Sequence, residues 1–539
     1  MNRRLKLLTL LFILILVASL AACNDKNTDE DTPAPSGFDI YTAEDLLAVS
    51  EMVGDKYSDT VFNLKNDIDL ADITFTPIGY DFEHAFTGTF AGNGFTISNL
   101  KINSSQEKTG GGLFGYIKDA YIYDLTIQDA DIDYTATEQI TYTGGLFGYG
   151  YGSNIVSDIS ISGNIRVKNT VKIRTSTTSG LPIEECGQSI YAGGVLGYNM
   201  GSLILERAVC GVNIFILPTP SSDETKEIPF RNAFIGGGIG FITGMDGTID
   251  SNLNQITVDA EIIDTAATHS FTAGLAGYLS NTSLTNSTAE IDEIIMKGDQ
   301  AGTRANAGGI SAYTLNSIIE KVSVKNTVFD TYNIFSPSDI INLGGIVGYA
   351  DKTKLRFSHA ENVTLVASKV TYSGGIAGVL RYSRTMNDST DADAGLEPQG
   401  YSLMENCSAT GGLYAYRNNN ALITIPAPVK DNDYNYDGSA SIVGLIWGDS
   451  QIENCFTDFV SVYGVVAEIR MEEGVDTDGN PIAEKRSEPE IGVQCYYSKN
   501  AVLSLAAGYS ENLNKSEQYP LNAICPCDIE DYIAALTEE

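Results

Sequence analysis

Apolar residues in the body of this chain come as short, β-branched runs parted by small polar residues. A helical period of 3.6 is absent there, so the pattern predicts many short strands joined by turns. One hexad organises them: Gly111-Gly112-Leu113-Phe114-Gly115-Tyr116. It returns cleanly from Gly144, Gly193 and Gly344, and more loosely from Gly236, Ala273 and Gly308. The copy from Gly374 loses its aromatic, and the copy from Ala440 is degenerate. After each hexad come a turn, a second apolar strand such as Ser202-Leu203-Ile204, and a third such as Val322-Ser323-Val324. One such repeat cannot bury its own apolar face, so neighbours must stack. The expectation is an all-β solenoid with one hexad per rung and its Leu, Ile or Val inside. Glycines would bend the backbone at a corner and let rungs approach closely. The hexad tyrosine would stack on its counterpart about 4.8 Å away. Cys210, Cys407, Cys455 and Cys495 fall in strands of the repeat, where cysteine serves as a small hydrophobe facing the core.

The ends of such a stack need covers, because open rungs template further pairing. Thr42-Ala43-Glu44-Asp45 has the spacing of a helix cap with a carboxylate at the third helical position. It predicts a helix over 43–53, stopped at Gly54. Near the other end, Ile529, Tyr532, Ile533 and Leu536 have helical spacing. Short helical caps are therefore expected at both ends.

The first residues follow another pattern. Arg3, Arg4 and Lys6 precede an apolar run from Leu7 to Leu20 that closes on Leu20-Ala21-Ala22-Cys23. A basic start, an apolar core and small residues make a secretory signal. The core is shorter than the roughly 20 residues of a spanning helix. Leu20-Ala21-Ala22-Cys23 resembles the lipobox of bacterial lipoproteins, which implies cleavage before Cys23 and acylation of its sulfur. Asn24 to Ser36, with its acids, threonines and prolines, reads as a flexible stalk. The expected organisation is a signal peptide over 1–22, an acylated cysteine and stalk over 23–37, and a cap with first coils over 38–100. The repeat body spans 101–510, with insertions near 379–440 and 470–490, and a terminal cap covers 511–539.

The hexads resemble the GLUG motif, a Gly-rich repeat of bacterial surface proteins. So does the segment before them, with Asn66-Asp67-Ile68-Asp69-Leu70, Pro77-Ile78-Gly79 and Phe86-Thr87-Gly88-Thr89-Phe90-Ala91-Gly92-Asn93-Gly94. The resemblance covers residues 38 to 500. It implies a right-handed parallel β-helix and an extracellular, adhesin-like setting, and it brings no catalytic residues with it.

Composition narrows the partners. The formal charge of −36 repels phosphate, which argues against nucleic acid and favours cations or neutral ligands such as glycans. The three histidines, His84, His269 and His359, lie far apart, which disfavours a zinc site or a hydrolase triad. Eight cysteines leave an odd number beside Cys23, so at least one thiol is free or pairs between chains.

Binding on such scaffolds falls to insertions on one face. The longest interval between hexads runs from Gly374 to Ala440. Around it stand Tyr401, Tyr414, Tyr416, Arg417, Tyr434, Tyr436 and Trp447, the one tryptophan. These suit the apolar faces and hydroxyl edges of sugars, or simply pack on the solenoid. Asp433, Asn435 and Asp437 precede Gly438 as in the start of a calcium loop, although the twelfth position is Gly444 rather than glutamate. Calcium is therefore the one cofactor considered. The leading expectation is a non-catalytic surface lipoprotein, held to a membrane by its lipid and contacting glycan or host extracellular protein. The alternatives are a β-helix polysaccharide lyase or glycoside hydrolase, and an accessory protein of a polysaccharide-uptake or secretion complex.

Overall fold

The short apolar runs become strands because each can offer its backbone groups to the runs one repeat before and after it. The structure, a computed structural model, describes residues 36–104, 110–136, 140–169, 172–175, 182–185, 187–217, 219–220, 227–228, 230–244, 247–264, 267–296, 304–331, 340–367, 370–382, 402–416, 422–424, 439–447, 450–460, 466–470, 474–475, 481–482 and 496–497. Pairing between rungs is parallel and in register. Phe147 lies beside Leu196, Ile161 beside Cys210, and Cys210 beside Val258. Among the described residues, a 31-stranded and a nine-stranded sheet result. This is the expected all-β parallel β-helix.

Each rung has the same course. A strand of the nine-stranded sheet, such as Ile140–Gly144, leads into the hexad. The chain bends at the second and third hexad residues, here Gly145 and Leu146, and leaves in the larger sheet as Phe147–Asn169. The third hexad residue faces the core: Leu113, Leu146, Val195, Leu275, Ile310, Ile346, Ile376 and Ile442 are fully buried. In the fourth copy that position is Gly238, and a methyl of Val258 lies 3.3 Å from where its Cβ would be.

The corners differ from expectation. They are made chiefly by non-glycine residues in the left-handed region: Asn316, Lys321 and Asn326 on one rung, then Lys352, Phe357 and Asn362 on the next. Asn and Asp recur because a short polar side chain tolerates that conformation. The corner asparagines also bond along the stack, Asn316 Nδ2 to Asn281 Oδ1 at 2.7 Å and Asn362 Nδ2 to Asn326 Oδ1 at 3.0 Å. The hexad glycines supply close approach instead. A Cβ on Gly145 would stand 2.5 Å from the carbonyl oxygen of Gly194, closer than packing allows.

At the start of the stack, Thr42 Oγ1 accepts from the Asp45 amide at 3.2 Å, and Asp45 Oδ2 accepts from the Thr42 amide at 3.0 Å. This box starts the α-helix Ala43–Ala48, which buries Leu46. The helix is shorter than expected. It tightens into a 3-10 turn over Val49–Glu51, and Gly54 then adopts a positive φ. Among the described residues, no helix is long and apolar enough to cross a membrane. The signal segment, Cys23, Cys495 and the cap expected over 511–539 lie outside the described residues.

Candidate functional site: a double ladder of aromatic rings

The hexad tyrosine stands two residues past the close-packed fourth position, outside the main core. Parallel register places its copies one above another. Tyr149, Tyr198, Phe241, Tyr278, Tyr313 and Tyr349 stack with centroids 4.3 to 5.1 Å apart and planes within 7° of parallel. Tyr116 continues the column at its start with a tilted ring, and Phe82 packs against the side of Tyr116, Tyr149 and Tyr151.

A second ladder, which the hexad reading missed, runs beside the first on the nine-stranded sheet. Tyr142, Tyr191, Phe234 and Phe271 are in register there and stack at 4.7 to 5.3 Å. Each meets the first ladder edge-on, as Tyr191 meets Tyr198 at 5.0 Å and 86° and Phe234 meets Phe241 at 5.0 Å and 87°. Edge-on contact directs a positive ring rim at a negative ring face. The bend at the hexad brings the two columns together. The sequence signal was an aromatic two residues before the first hexad position. At the same place in the next two rungs stand Asn306 and Asn342, with Asn342 Nδ2 donating to Asn306 Oδ1 at 2.9 Å. Tyr372 follows in the same column.

Most of these rings are half-buried. Burial, followed by the charge of neighbouring Tyr191 and Tyr278, pushes the Tyr198 hydroxyl up to about 12. Tyr278 rises to about 12 through burial and then Asp351. Burial pushes Tyr142, Tyr149 and Tyr313 up as well. The hydroxyls are thus neutral donors and acceptors. The column on the far side of the first ladder is also uncharged over Tyr151, Met200, Thr243, Ser280 and Leu315. Charged residues stand at its two ends, Lys118 before Tyr151 and Asp351 followed by Arg381 after Leu315. Lys118 pairs with Asp55 at 2.8 Å, and Arg381 Nη1 donates to the Tyr349 hydroxyl at 3.3 Å.

The connecting segments of variable length leave from two corners, and both border this strip. One precedes the nine-stranded sheet, between Leu217 and Phe230, Met296 and Arg304, Thr331 and Ile340, and Tyr416 and Ser439. The other follows the outgoing strand, between Arg381 and Leu403 and again after Arg470. The insertion expected over 379–440 is therefore two segments on opposite borders of the strip, with the strand Ser408–Tyr416 between them.

Of the residues expected to bind, Trp447 lies at the end of the strip, in register with Arg381. The guanidinium sits 4.4 Å from the Trp447 ring centroid. Tyr414 is half-buried beside Val366, three corners away from the strand that carries Arg381. The structure does not join it to Trp447. The backbone of Tyr416 pairs with Leu422. Tyr401, Arg417, Tyr434, Tyr436 and the calcium candidates Asp433, Asn435 and Asp437 lie outside the described residues.

The histidines do not converge. His84 stacks on Tyr80 at 4.5 Å and meets Asp81 Oδ1 at 2.8 Å. His269 pairs with Asn232 and Arg304 in the nine-stranded sheet. His359 Nδ1 lies 2.8 Å from Ser408 Oγ, and burial holds its pKa below the usual value. Among the described residues, no three His, Cys, Asp or Glu side chains are grouped to hold a metal. Cys210, Cys407 and Cys455 are buried, and burial pushes Cys210 up to about 12.

No family model matches this chain, and no solved structure matches it. A protein named halomucin from Haloquadratum walsbyi is 31% identical over 150 residues. That stretch is 26% of this chain and 2% of halomucin.

Proposed function

We propose that this chain is a lipid-anchored protein of the bacterial cell surface, with a β-helix that serves as a binding scaffold for extracellular glycan or matrix. The double ladder carries the reading. It is a long strip of half-exposed aromatic and neutral polar side chains, bordered on both sides by the corners from which the variable segments leave. Variable segments on a repeat scaffold mark the face that contacts a partner, and amphipathic rings suit polymers with apolar and hydroxylated surfaces. The lipobox-like Leu20-Ala21-Ala22-Cys23 supports the anchor, and the GLUG-like hexads support the extracellular setting. Contact with the membrane would run through the lipid on Cys23.

Two experiments test the parts separately. Protease shaving of intact cells should release the repeat body, and a Cys23→Ser chain should appear in the soluble fraction. A chain fully protected in intact cells would rule out surface exposure. A panel of immobilised glycans and extracellular-matrix proteins tests binding, and retention of none of them would leave only a structural role. Including millimolar calcium in one arm tests the 433–438 loop, whose contribution would appear as a raised melting temperature.

A further inference from the structure

The ladder has a feature that narrows its ligand. Within each column the ring faces are already covered by the rings above and below, at 4.3 to 5.1 Å along the first column. A sugar cannot lie flat on a face that another ring occupies. The strip presents ring rims and, at each tyrosine, a hydroxyl, repeated once per rung at about 4.8 Å. Beside the rungs of Tyr198 and Phe241 the strip carries no charge, with Arg304, Asp351 and Arg381 entering only on the later rungs, in a chain of formal charge −36. A cationic ligand would find better sites elsewhere on this acidic molecule. An anionic one would meet its general repulsion.

The amide pair adds an independent observation. Asn306 and Asn342 stand where the four preceding rungs carry a ring. They are 8% and 6% exposed, and the Oδ1 of Asn342 has no hydrogen-bond partner. An unsatisfied buried acceptor is destabilising, and an aromatic side chain at this position would continue the stack without that cost. An amide kept here is a candidate for reading a donor brought by a ligand.

We infer that the strip is a track for an unbranched, neutral glycan that lies along the stacking axis, held by ring rims and hydroxyls and read by the Asn306–Asn342 pair. This rests on the binding function proposed above. Each sugar unit adds contacts to a further rung, so affinity grows with chain length. Asn342 Oδ1 accepts a hydroxyl of the chain, once the local side chains turn to admit it.

The test is calorimetric titration of the full chain with cellobiose and cellohexaose, laminaribiose and laminarihexaose, maltose and maltohexaose, and with polygalacturonate. The expected result is that at least one neutral hexasaccharide binds, about tenfold or more tighter than its disaccharide, and that polygalacturonate does not. The double variant Asn306→Phe/Asn342→Phe, which completes the second ladder, should lose about tenfold or more in affinity while its melting temperature stays level or rises. Should that variant fold poorly, Asn342→Gln is the second measurement, since it keeps the acceptor and should bind better than Asn342→Leu. Equal affinity for short and long chains would overturn the axial track. Preference for polygalacturonate would overturn the neutral ligand. Undiminished binding by folded variants would mean that the amide pair reads nothing. No binding of any glycan here, with matrix proteins retained on the panel above, would overturn this inference and leave the surface-binding reading standing. Silence in both assays would remove both.

Discussion

Tyr198 and Phe241, on successive rungs, stack with 4.9 Å between centroids and 3° between planes. The same Phe241 receives Tyr191 and Phe234 edge-on and stacks on Tyr278 from its other face. Its removal therefore breaks contacts to three rungs. Phe241→Ala should cost about 2–3 kcal/mol in denaturant unfolding, below the range for fully buried phenylalanine because the ring is half-exposed. In a stacked repeat each rung touches its neighbours alone. Hydrogen exchange should therefore quicken in the adjacent rungs and stay unchanged in Val61–Leu64 at the start of the stack. Uniform quickening would contradict a nearest-neighbour scaffold.

Gly194 tests close approach. A Cβ there would collide with the carbonyl oxygen of Gly237 and with Cys210 Sγ. Gly194→Ala should cost about 3 kcal/mol or more, since neither the backbone nor the packed sulfur has room to move. Gly247 has a positive φ of 69° and nothing within 4 Å of its Cβ position. Gly247→Ala should cost only the conformational penalty, about 1–2 kcal/mol. A comparison of the two melting curves checks the difference, and equal losses would argue against the steric account.

Lys321 turns a corner with φ of 56°, and its side chain is largely exposed beside Glu320. Glycine adopts this conformation without the Cβ clash. Lys321→Gly should therefore raise stability or leave it level. Lys321→Val, β-branched, should lower it by about 1–2 kcal/mol. Thermal unfolding of both variants decides, and a stabilising valine would count against the corner assignment.

Alkaline pH should dismantle the ladder. Tyr198 and Tyr278 ionise near 12 in the fold, against an ordinary value of 10. A pKa raised in the folded state gives stability that is complete below pH 10 and lost as pH rises toward 12. Tyrosinate absorbance of the native chain should lag that of the chain in guanidinium across this window. Coincident titration curves would show that the rings are not buried as described. At the acid end, Asp158 is held low by its hydrogen bonds from Arg207. Its small surface contribution is present above the ordinary carboxylate value and disappears as pH falls below it.

Much of the fold was legible because the repeats are local and nearly identical. Leu146 and Ile346 could be assigned to the core from their hexad position, and Thr42 to a cap from the spacing to Asp45. The corners were misread because Lys321 and Phe357 have no compositional signature for a positive φ; the stack imposes it. The Tyr142 ladder was missed for a related reason. Its members belong to different repeats, and they form a column only once the bend and the register are known.

Trp447 illustrates the division best. Its place in a degenerate repeat was readable from Ala440 onward, and its value as a lone aromatic among tyrosines was plain. Its partner was not. Arg381 lies 66 positions earlier, across two variable segments whose lengths carry no information about alignment. Hydrogen bonding between Val379 and Leu445 sets that register and delivers the guanidinium to the ring. Period and hydrophobicity, being properties of neighbours along the chain, set which residues face in and that rungs must stack. Which side chains meet across rungs is set by register and by the bend at the hexad, and these arise from backbone pairing between segments far apart in the chain.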